Sequence, residues 1–275
     1  MRNMLTTLSS PLRLAGAATL LGATLLAGCG NDASDENTLK MGTVAGPETE
    51  VMKVAAEIAK EKYDLNVEIT EFTDYVSPNA ALADGSLDAN AYQHQPYMES
   101  MVRERGYKFA SAGKTFVYPI GAYSEKYEDI SELPDGATIA LPNDPSNEGR
   151  SLILMHDLGM IELTDKSNLE ATPIDVAKNP HDYQFKEIEA AQLPRILPDV
   201  DLAFINNTFA QPAGLKPEDA LIREGAESPY VNLIVVRQGD EDSEKVQKLV
   251  KAYQTPEVEA KAEELFKGAA VPGWK

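Results

Sequence analysis

The segment Ala137–Met160, ATIALPNDPSNEGRSLILMHDLGM, gives the clearest indication of the fold. It begins with five residues typical of a buried strand and continues through a polar loop rich in cap and turn residues. It ends in a run whose apolar spacing predicts a helix. Strand, loop and helix in this order form the repeating unit of an α/β fold. In open α/β sheets, ligands bind beyond the carboxyl ends of the strands, where this loop is expected to lie.

The loop carries the residues expected of an anion site. Backbone N–H groups and the helix dipole favour an anion at a helix start. Ser146 and Asn147 are suitable N-cap residues, and Gly149 permits close backbone approach. The guanidinium of Arg150 matches a carboxylate that it can hold with two hydrogen bonds. The alternative is that Asn147 only caps the helix and Arg150 pairs with an acidic residue on the surface.

The same alternation of strands and helices extends through the chain on both sides. Strand patterns lie at 39–46, 67–72, 87–93, 183–190 and 200–207. Helical patterns lie at 47–63, 78–83, 96–105 and 191–197, and in a C-terminal pair divided at Thr255-Pro256. Repeated strand–helix–strand units predict mostly parallel sheets covered by helices.

Two long extended runs predict that the chain crosses twice between two lobes. The first is Lys108–Glu125, interrupted at Pro119-Ile120-Gly121, and the second is Ser228–Gly239. We therefore expect a ligand cleft between the lobes. The predicted first lobe comprises residues 39–118 and 237–275, and the predicted second lobe comprises residues 119–236.

The first residues predict a secretory leader. Arg2 and Arg13 supply its positive charge, and the apolar run Leu14–Leu26 is too short to cross a bilayer. The run ends in Leu26-Ala27-Gly28-Cys29, which resembles a bacterial lipobox. Residues 1–28 are therefore expected to be removed on export.

Cys29 is the single cysteine of the sequence, so an internal disulfide is excluded. We expect it to carry a lipid that anchors the protein to a membrane, with residues 29–38 forming a short polar tether. The alternative is that Cys29 is an incidental small residue of the apolar run.

The charge balance excludes one class of partner. The formal net charge is −19, and removal of the leader makes the chain more acidic, because both charges in the leader are basic. A surface this acidic is opposite to what phosphate backbones attract, so nucleic-acid binding is not expected. Direct adhesion to anionic lipid is disfavoured for the same reason.

Aromatic side chains cluster where strands are predicted to pass into helices. The segments DYVSPN and NAYQHQPY contribute Tyr75, Tyr92, His94 and Tyr97. Rings in such connections are typical of a cleft that receives an apolar ligand group. The alternative is a set of ordinary core tyrosines with a structurally bonded histidine. Phe116, with Tyr118, lies in the first crossing and fits either interpretation.

Asparagines form a third candidate group. Asn206 and Asn207 end an apolar strand, and Asn232 interrupts another, where a buried amide needs hydrogen-bond partners. The alternative is helix capping by Asn207 or Thr208.

Enzymatic motifs are not found. The sequence lacks GxSxG, GxxxxGK[ST] and GxGxxG, which disfavours a serine hydrolase and phosphate or dinucleotide binding. His156 and His181 have no metal-ligand spacing to His94, so we expect neither a metal nor a cofactor. Glu187 and Glu189 are more typical of a solvated strand face than of an acid–base pair.

The ordered motifs together resemble the methionine-binding lipoproteins of the MetQ/NlpA type. The resemblance covers the whole mature chain and is carried by the segments LAGC, MGTVAGPE, DYVSPN, NAYQHQPY, KTFVYPI, LPNDPSNEGRSLILM, AAQLPR, FINNTFA and ESPYVNLIV. It implies a type II-like periplasmic-binding-protein fold that closes on one free amino acid. It also implies that the chain is not an enzyme but the receptor of an ABC importer, with the permease and ATPase complex as its partners.

The resemblance further implies roles for individual residues. Arg150 would clamp the ligand carboxylate with help from Asn147, and Asn206 and Asn232 would hold the polar ends. The residues expected around the thioether side chain are Tyr75, Tyr92, His94 and Tyr97, and Phe116 is also expected at the ligand site. Tyr92 stands where family members often carry phenylalanine, so its hydroxyl needs a partner. Asn207 stands where a threonine is common, which leaves open which asparagine contacts the ligand.

Several alternatives follow from the same residues. The ligand is expected to be L- or D-methionine, with another small amino acid or a methionine-containing dipeptide as the alternative. A different class of function is a structural envelope lipoprotein that uses its acidic surface to bind a partner. We expect a monomer facing the periplasm or the cell exterior, anchored to either the inner or the outer membrane.

Overall fold

The computed structural model describes residues 37–225 and 228–275. The leader, the lipidation site Cys29 and nearly all of the tether therefore lie outside the described residues. Two sheets with flanking helices and a small two-stranded ribbon make up the described chain. The prediction of a two-lobed α/β fold is confirmed.

The secondary structure follows the predicted alternation closely. The strands are β1 (Thr38–Val44), β2 (Asn66–Phe72), β3 (Ala89–Asn90), β4 (Phe109–Val117), β5 (Gly121–Tyr123), β6 (Thr138–Pro142), β7 (Glu162–Leu163), β8 (Val176–Lys178), β9 (Gln184–Ile188), β10 (Leu202–Ile205), β11 (Ile222–Arg223), β12 (Val231–Arg237) and β13 (Val271–Pro272). The helices are α1 (Pro47–Tyr63), α2 (Ser77–Ala83), α3 (Gln95–Arg105), α4 (Pro145–Asp157), α5 (Leu193–Ile196), α6 (Asn207–Ala210), α7 (Glu244–Tyr253) and α8 (Pro256–Phe266).

The first lobe is built on a six-stranded sheet in the order β13-β4-β12-β3-β1-β2. Both faces of this sheet are covered, which explains why β12 reads as a continuous apolar run. Ile234 and Val236 belong to the core under α1, α7 and α8, whereas Leu233 and Val235 belong to the core on the opposite face. This two-sided burial holds the carboxyl ends of β1 and β3 in place.

The second lobe is built on a five-stranded sheet in the order β11-β5-β10-β6-β9. Leu152 and Met155 of α4 pack into the core on one face, and Leu193 of α5 packs into the core on the other. The apolar side of α4, which its sequence spacing predicts, therefore packs against the sheet. It places the start of α4 at the carboxyl end of β6.

Both sheets are less parallel than the repeated strand–helix–strand pattern predicts. Parallel pairs join β1 to β2 and β3, and join β6 to β9 and β10, whereas the other pairings of these two sheets are antiparallel. The reason is that β12 and β5, which flank the two lobe crossings, run against the parallel strands of their sheets. The long strand predicted at 87–93 is also reduced to Ala89–Asn90.

The lobe boundaries differ from the predicted ones at the return crossing. β4 ends at Val117 and β5 begins at Gly121 in the other sheet, so the first crossing lies at the predicted break near Pro119-Ile120-Gly121. However, β12 begins at Val231 and pairs with β4 and β3, so its residues belong to the first sheet. The return crossing therefore precedes Val231 rather than falling at residue 236. Across the described segments, no helix combines the length and the apolarity needed to span a membrane.

Candidate functional site

A cavity of about 350 Å³ lies between the two lobes. Most of its walls come from segments that follow the carboxyl ends of strands β1, β2, β3, β4, β6 and β10, where α/β folds bind ligands, and one side chain comes from β12. The residues that line it are Glu48, Tyr75, Tyr92, Gln93, His94, Tyr97, Tyr118, Asn147, Arg150, Asn206, Asn207, Thr208 and Asn232.

The start of α4 is capped by Asp144, which corrects the expectation that Ser146 or Asn147 is the N-cap. The Asp144 carboxylate accepts hydrogen bonds from the backbone N–H of Asn147 at 3.0 Å and from the Ser146 hydroxyl at 3.0 Å. An aspartate satisfies free N–H groups at a helix start as well as serine or asparagine does. Asn147 is thereby released from capping, and its side chain can face the cavity.

Arg150 is the buried cation of the cavity. Its side chain is only 2% exposed, and its Nε donates to Glu224 Oε1 at 3.0 Å. Its Nη2 donates to Glu224 Oε2 and to the backbone carbonyl of Tyr118 at 3.1 Å. The guanidinium carbon lies 4.4 Å from the centre of the Tyr230 ring, a cation–π contact. The predicted pairing with an acid does occur, but in the interior rather than on the surface.

Gly149 is required by close backbone packing. A Cβ atom at this position would lie 2.4 Å from the carbonyl oxygen of Leu169 and 2.8 Å from the amide nitrogen of Ala171. The predicted close approach thus exists, but it is to the protein's own chain and not to a ligand.

Because both neighbours are backbone atoms, Gly149→Ala is expected to destabilise the protein by roughly 1–3 kcal/mol. Urea denaturation measures this loss. The matched control is Gly225→Ala, since a Cβ there meets nothing within 4 Å; its effect should stay within about 0.5 kcal/mol. Equal stability of the two variants would contradict the packing account.

A hydrogen-bond relay sets the orientation of the amides in the cavity. Asn147 Nδ2 donates to both carboxylate oxygens of Asp144, at 2.9 and 3.0 Å, so Asn147 Oδ1 must be the acceptor. That oxygen accepts from Asn206 Nδ2 at 2.9 Å. Asn206 Oδ1 therefore remains as a buried acceptor without a partner among the described residues, and it belongs to a side chain that lines the cavity.

The same relay joins the two lobes through His94. The Nδ1 atom of His94 accepts the backbone N–H of Tyr97 at 3.2 Å, so Nε2 carries the proton and donates to Asn147 Oδ1 at 3.2 Å. Burial, with a smaller contribution from the charge of Arg150, lowers the pKa of His94 to about 3. His94 is consequently a neutral donor in the first lobe that bonds to an acceptor in the second.

Three tyrosines form the apolar wall of the cavity. The Tyr75 ring stacks on Tyr92 at 5.7 Å and meets Tyr97 edge-on at 6.1 Å, and Phe209 of the second lobe lies 4.9 Å from Tyr75. The hydroxyls of Tyr92 and Tyr97 both donate to the backbone carbonyl of Tyr75, at 2.7 and 2.9 Å. The extra hydroxyl of Tyr92 thus has a partner, and the ring faces remain apolar.

A buried carboxylate lies in the first turn of α1. Glu48 is 6% exposed; it accepts hydrogen bonds from the Thr208 hydroxyl at 2.5 Å and from Asn232 Nδ2 at 3.3 Å. Burial raises the pKa of Glu48 to about 7, against the lowering effect of these two donors. The register shift of β12 between Val231 and Leu233 lies at Asn232, whose Nδ2 also donates to the carbonyl of Tyr92 at 3.2 Å.

The structure brings together eight of the nine residues expected at the ligand site. Phe116 is the exception, because its ring packs in the core of the first lobe against Trp274 at 4.8 Å and Tyr118 at 5.9 Å. Tyr118, beyond the end of β4, lines the cavity instead. Capping by Thr208 is also wrong, since its hydroxyl bonds to Glu48 and the N-cap of α6 is Asn206.

Sequence reasoning missed Glu48, Gln93 and Glu224. Glu48 follows Gly46-Pro47 at the carboxyl end of β1, so the rule that selected the Arg150 loop could have selected it too. No local signal marks Glu224, which is distant in sequence and reaches Arg150 only through the return crossing.

The other two histidines have structural partners. His156 Nδ1 accepts the backbone N–H of Leu163 at 3.0 Å, and His181 bonds to Asp135 at 2.8 Å. Within residues 37–225 and 228–275, no group of three or more histidine, cysteine, aspartate or glutamate side chains is arranged to hold a metal ion.

Comparison with known proteins identifies close relatives over nearly the full length. The NlpA lipoprotein family model matches residues 39–274. The D-methionine-binding lipoprotein MetQ of Salmonella typhi is 49% identical over 263 residues, which cover 94% of this chain and 97% of that protein.

Solved structures agree in fold. The crystal structure of the methionine-binding protein MetQ has a TM-score of 0.85 and 49% identity, covering 88% of this chain and all of that chain. A nutrient-binding protein from Burkholderia cenocepacia, solved bound to methionine, has a TM-score of 0.83 and 51% identity, covering 86% of this chain and 99% of that chain.

Proposed function

This chain belongs to the NlpA lipoprotein family, and we propose that it is the substrate-binding lipoprotein of an ABC importer, capturing methionine between its lobes. The observation that carries the proposal is one cavity with a buried guanidinium, oriented amides and a wall of tyrosine rings. A zwitterionic amino acid with an apolar side chain has the complementary groups.

We assign the carboxylate of the ligand to Arg150. Its contacts with Glu224 and Tyr118 use Nε and Nη2, and Arg150 also lines the cavity. Asn207, whose buried Nδ2 has no partner among the described residues, is a second donor for the carboxylate. The partnerless oxygen of Asn206 is an acceptor for the ammonium group. In this assignment both asparagines contact the ligand, with opposite roles.

We assign the thioether side chain to the wall formed by Tyr75, Tyr92 and Tyr97. Sulfur near an aromatic ring is favoured by about 0.3–1.5 kcal/mol per contact, which distinguishes methionine from a purely aliphatic analogue. Binding favours lobe closure, because the rings belong to the first lobe and Arg150 to the second.

The proposal gives the chain a binding role and no catalytic one. His94, the usual candidate for a general base, is neutral and has both ring nitrogens engaged in hydrogen bonds. We further propose that a lipid on Cys29 anchors a monomer at the cell envelope. There it delivers methionine to the permease and ATPase complex.

Calorimetric titration of full-length protein in detergent, unfolded and refolded to remove carried-over ligand, tests this function. L-Methionine or D-methionine should bind about 2- to 12-fold more tightly than norleucine, in which a methylene group replaces the sulfur. A preference for an amino acid without a thioether would contradict the assigned ligand. Failure of all free amino acids and of methionine-containing dipeptides would favour a structural envelope lipoprotein.

A further inference from the structure

We infer that ligand capture is coupled to deprotonation of Glu48, which then becomes the counter-ion of the ligand's ammonium group. The inference rests on the proposed amino-acid ligand and deepens it. It assigns to the cavity a second charged residue besides Arg150, and it makes affinity depend on pH.

The geometry around Glu48 is that of a carboxylate lacking a cation. Its hydrogen-bond donors, the Thr208 hydroxyl and the Asn232 amide, are both neutral. Glu48 forms no ion pair with any lysine, arginine or histidine of the described chain. Since a buried charge is costly unless it is paired, the ammonium group of a ligand would supply the cation that the described chain does not.

The titratable groups around Glu48 do not change charge near neutral pH, so the titration of the cavity in this range is assigned to Glu48. Burial raises the pKa of Tyr75, Tyr118 and Tyr253 above the ordinary value, and the negative charge of Glu48 raises it further. His94 is neutral, because its pKa is lowered to about 3. Arg150 is neutralised by Glu224.

Two opposing effects set the charge of Glu48 in the empty cavity. The hydrogen bonds from Thr208 and Asn232 favour the carboxylate, and so does the positive end of α1, because Glu48 lies in the first turn of that helix. Burial favours the neutral acid and is the larger effect, since the pKa rises to about 7. A large fraction of empty protein therefore holds the proton at pH 6.

Ligand binding removes the proton from the Glu48 carboxyl. The O–H bond of the Glu48 carboxyl breaks, the proton passes to solvent, and the ammonium group of the ligand donates to the resulting carboxylate. The ammonium group of a free amino acid stays protonated across this pH range, so the ligand contributes no proton change of its own.

Calorimetry of full-length protein with methionine, in two buffers of different ionisation enthalpy, measures the coupling. The wild type should release close to one proton per ligand at pH 6 and almost none at pH 8. Affinity should rise about tenfold over the same range, because the free carboxyl with a pKa near 7 becomes ionised.

Glu48→Gln should abolish the pH dependence and weaken binding at pH 8 by about 30-fold or more. The matched control is Glu148→Gln, because Glu148 is as buried as Glu48 and its pKa is likewise raised to about 7, yet it does not line the cavity. This control should keep both the proton release and the affinity of the wild type.

Proton release that is absent in the wild type at pH 6, or that persists in Glu48→Gln, would overturn the inference. If Glu48→Gln does not fold, as judged by circular dichroism, proton release is compared between the wild type and Glu148→Gln in the same two buffers. Loss of proton release in Glu148→Gln would then contradict the assignment to Glu48. Methionine binding without proton release would refute only the coupling, whereas no binding of methionine to the wild type would refute the proposed function.

Discussion

Replacing the buried ion pair by neutral residues, Arg150→Met together with Glu224→Gln, is expected to weaken methionine binding by about 30- to 5,000-fold while the protein stays folded. The guanidinium is the cation assigned to the ligand carboxylate, and truncating one partner of a buried charge pair costs about 2–5 kcal/mol of binding free energy. Titration calorimetry and thermal melting of the same preparation measure the two quantities separately.

The single variant Arg150→Met provides the contrast. It leaves the Glu224 carboxylate buried, with the backbone N–H of Ile120 at 3.4 Å and the Ser228 hydroxyl at 2.9 Å as remaining donors. An unpaired buried charge is expected to destabilise the fold by about 3–5 kcal/mol, most of which the added Glu224→Gln should restore. Affinity near the wild-type value in the stable double variant would show that Arg150 does not clamp the ligand.

Asn147→Ala is expected to weaken methionine binding by about 30- to 1,000-fold, equivalent to roughly 2–4 kcal/mol. Three groups lose their partner at once: the Asp144 carboxylate, the Asn206 amide and the His94 Nε2–H group. Asn206 then has no fixed orientation toward the ligand. The hydrogen bond between His94 and Asn147, which joins the two lobes, is also lost.

Ser151→Ala is the matched control for Asn147→Ala. Ser151 lies one turn further along α4, is fully buried, and donates from its hydroxyl to the backbone carbonyl of Asn147 at 2.8 Å. It does not line the cavity, so its loss should cost about 1 kcal/mol of stability and leave the affinity unchanged. An equal loss of affinity in both variants would mean that the helix position, and not the relay, determines binding.

Much of the candidate site was predictable because its residues follow strands. Arg150, Asn206 and Tyr92 each lie just beyond an apolar strand, and the carboxyl ends of parallel strands meet where ligands bind. Their chemical types, a planar cation, an amide and a ring, then indicate which ligand groups they suit. Phe116, which lies within the extended run of the first crossing, was misplaced, because an aromatic ring in a strand can face either the core or the cavity.

The remaining features depend on contacts between residues distant in sequence. Glu224 meets Arg150 across 74 positions, and Asn232 meets Glu48 across 184. Neither pairing leaves a periodic or spacing signal. The same holds for the antiparallel pairing of β12, which places Val231–Arg237 in the first sheet although the sequence suggests a crossing there.

The α/β class, the two lobes and a candidate site at the carboxyl ends of the strands could be predicted from sequence, because hydrophobic periodicity, cap residues and strand order are local properties. Which side chains are paired, which are buried without a counter-ion, and how the amides are oriented became visible in the folded structure alone. Burial and charge pairing depend on distances between remote segments, and those distances exist only once the chain has folded.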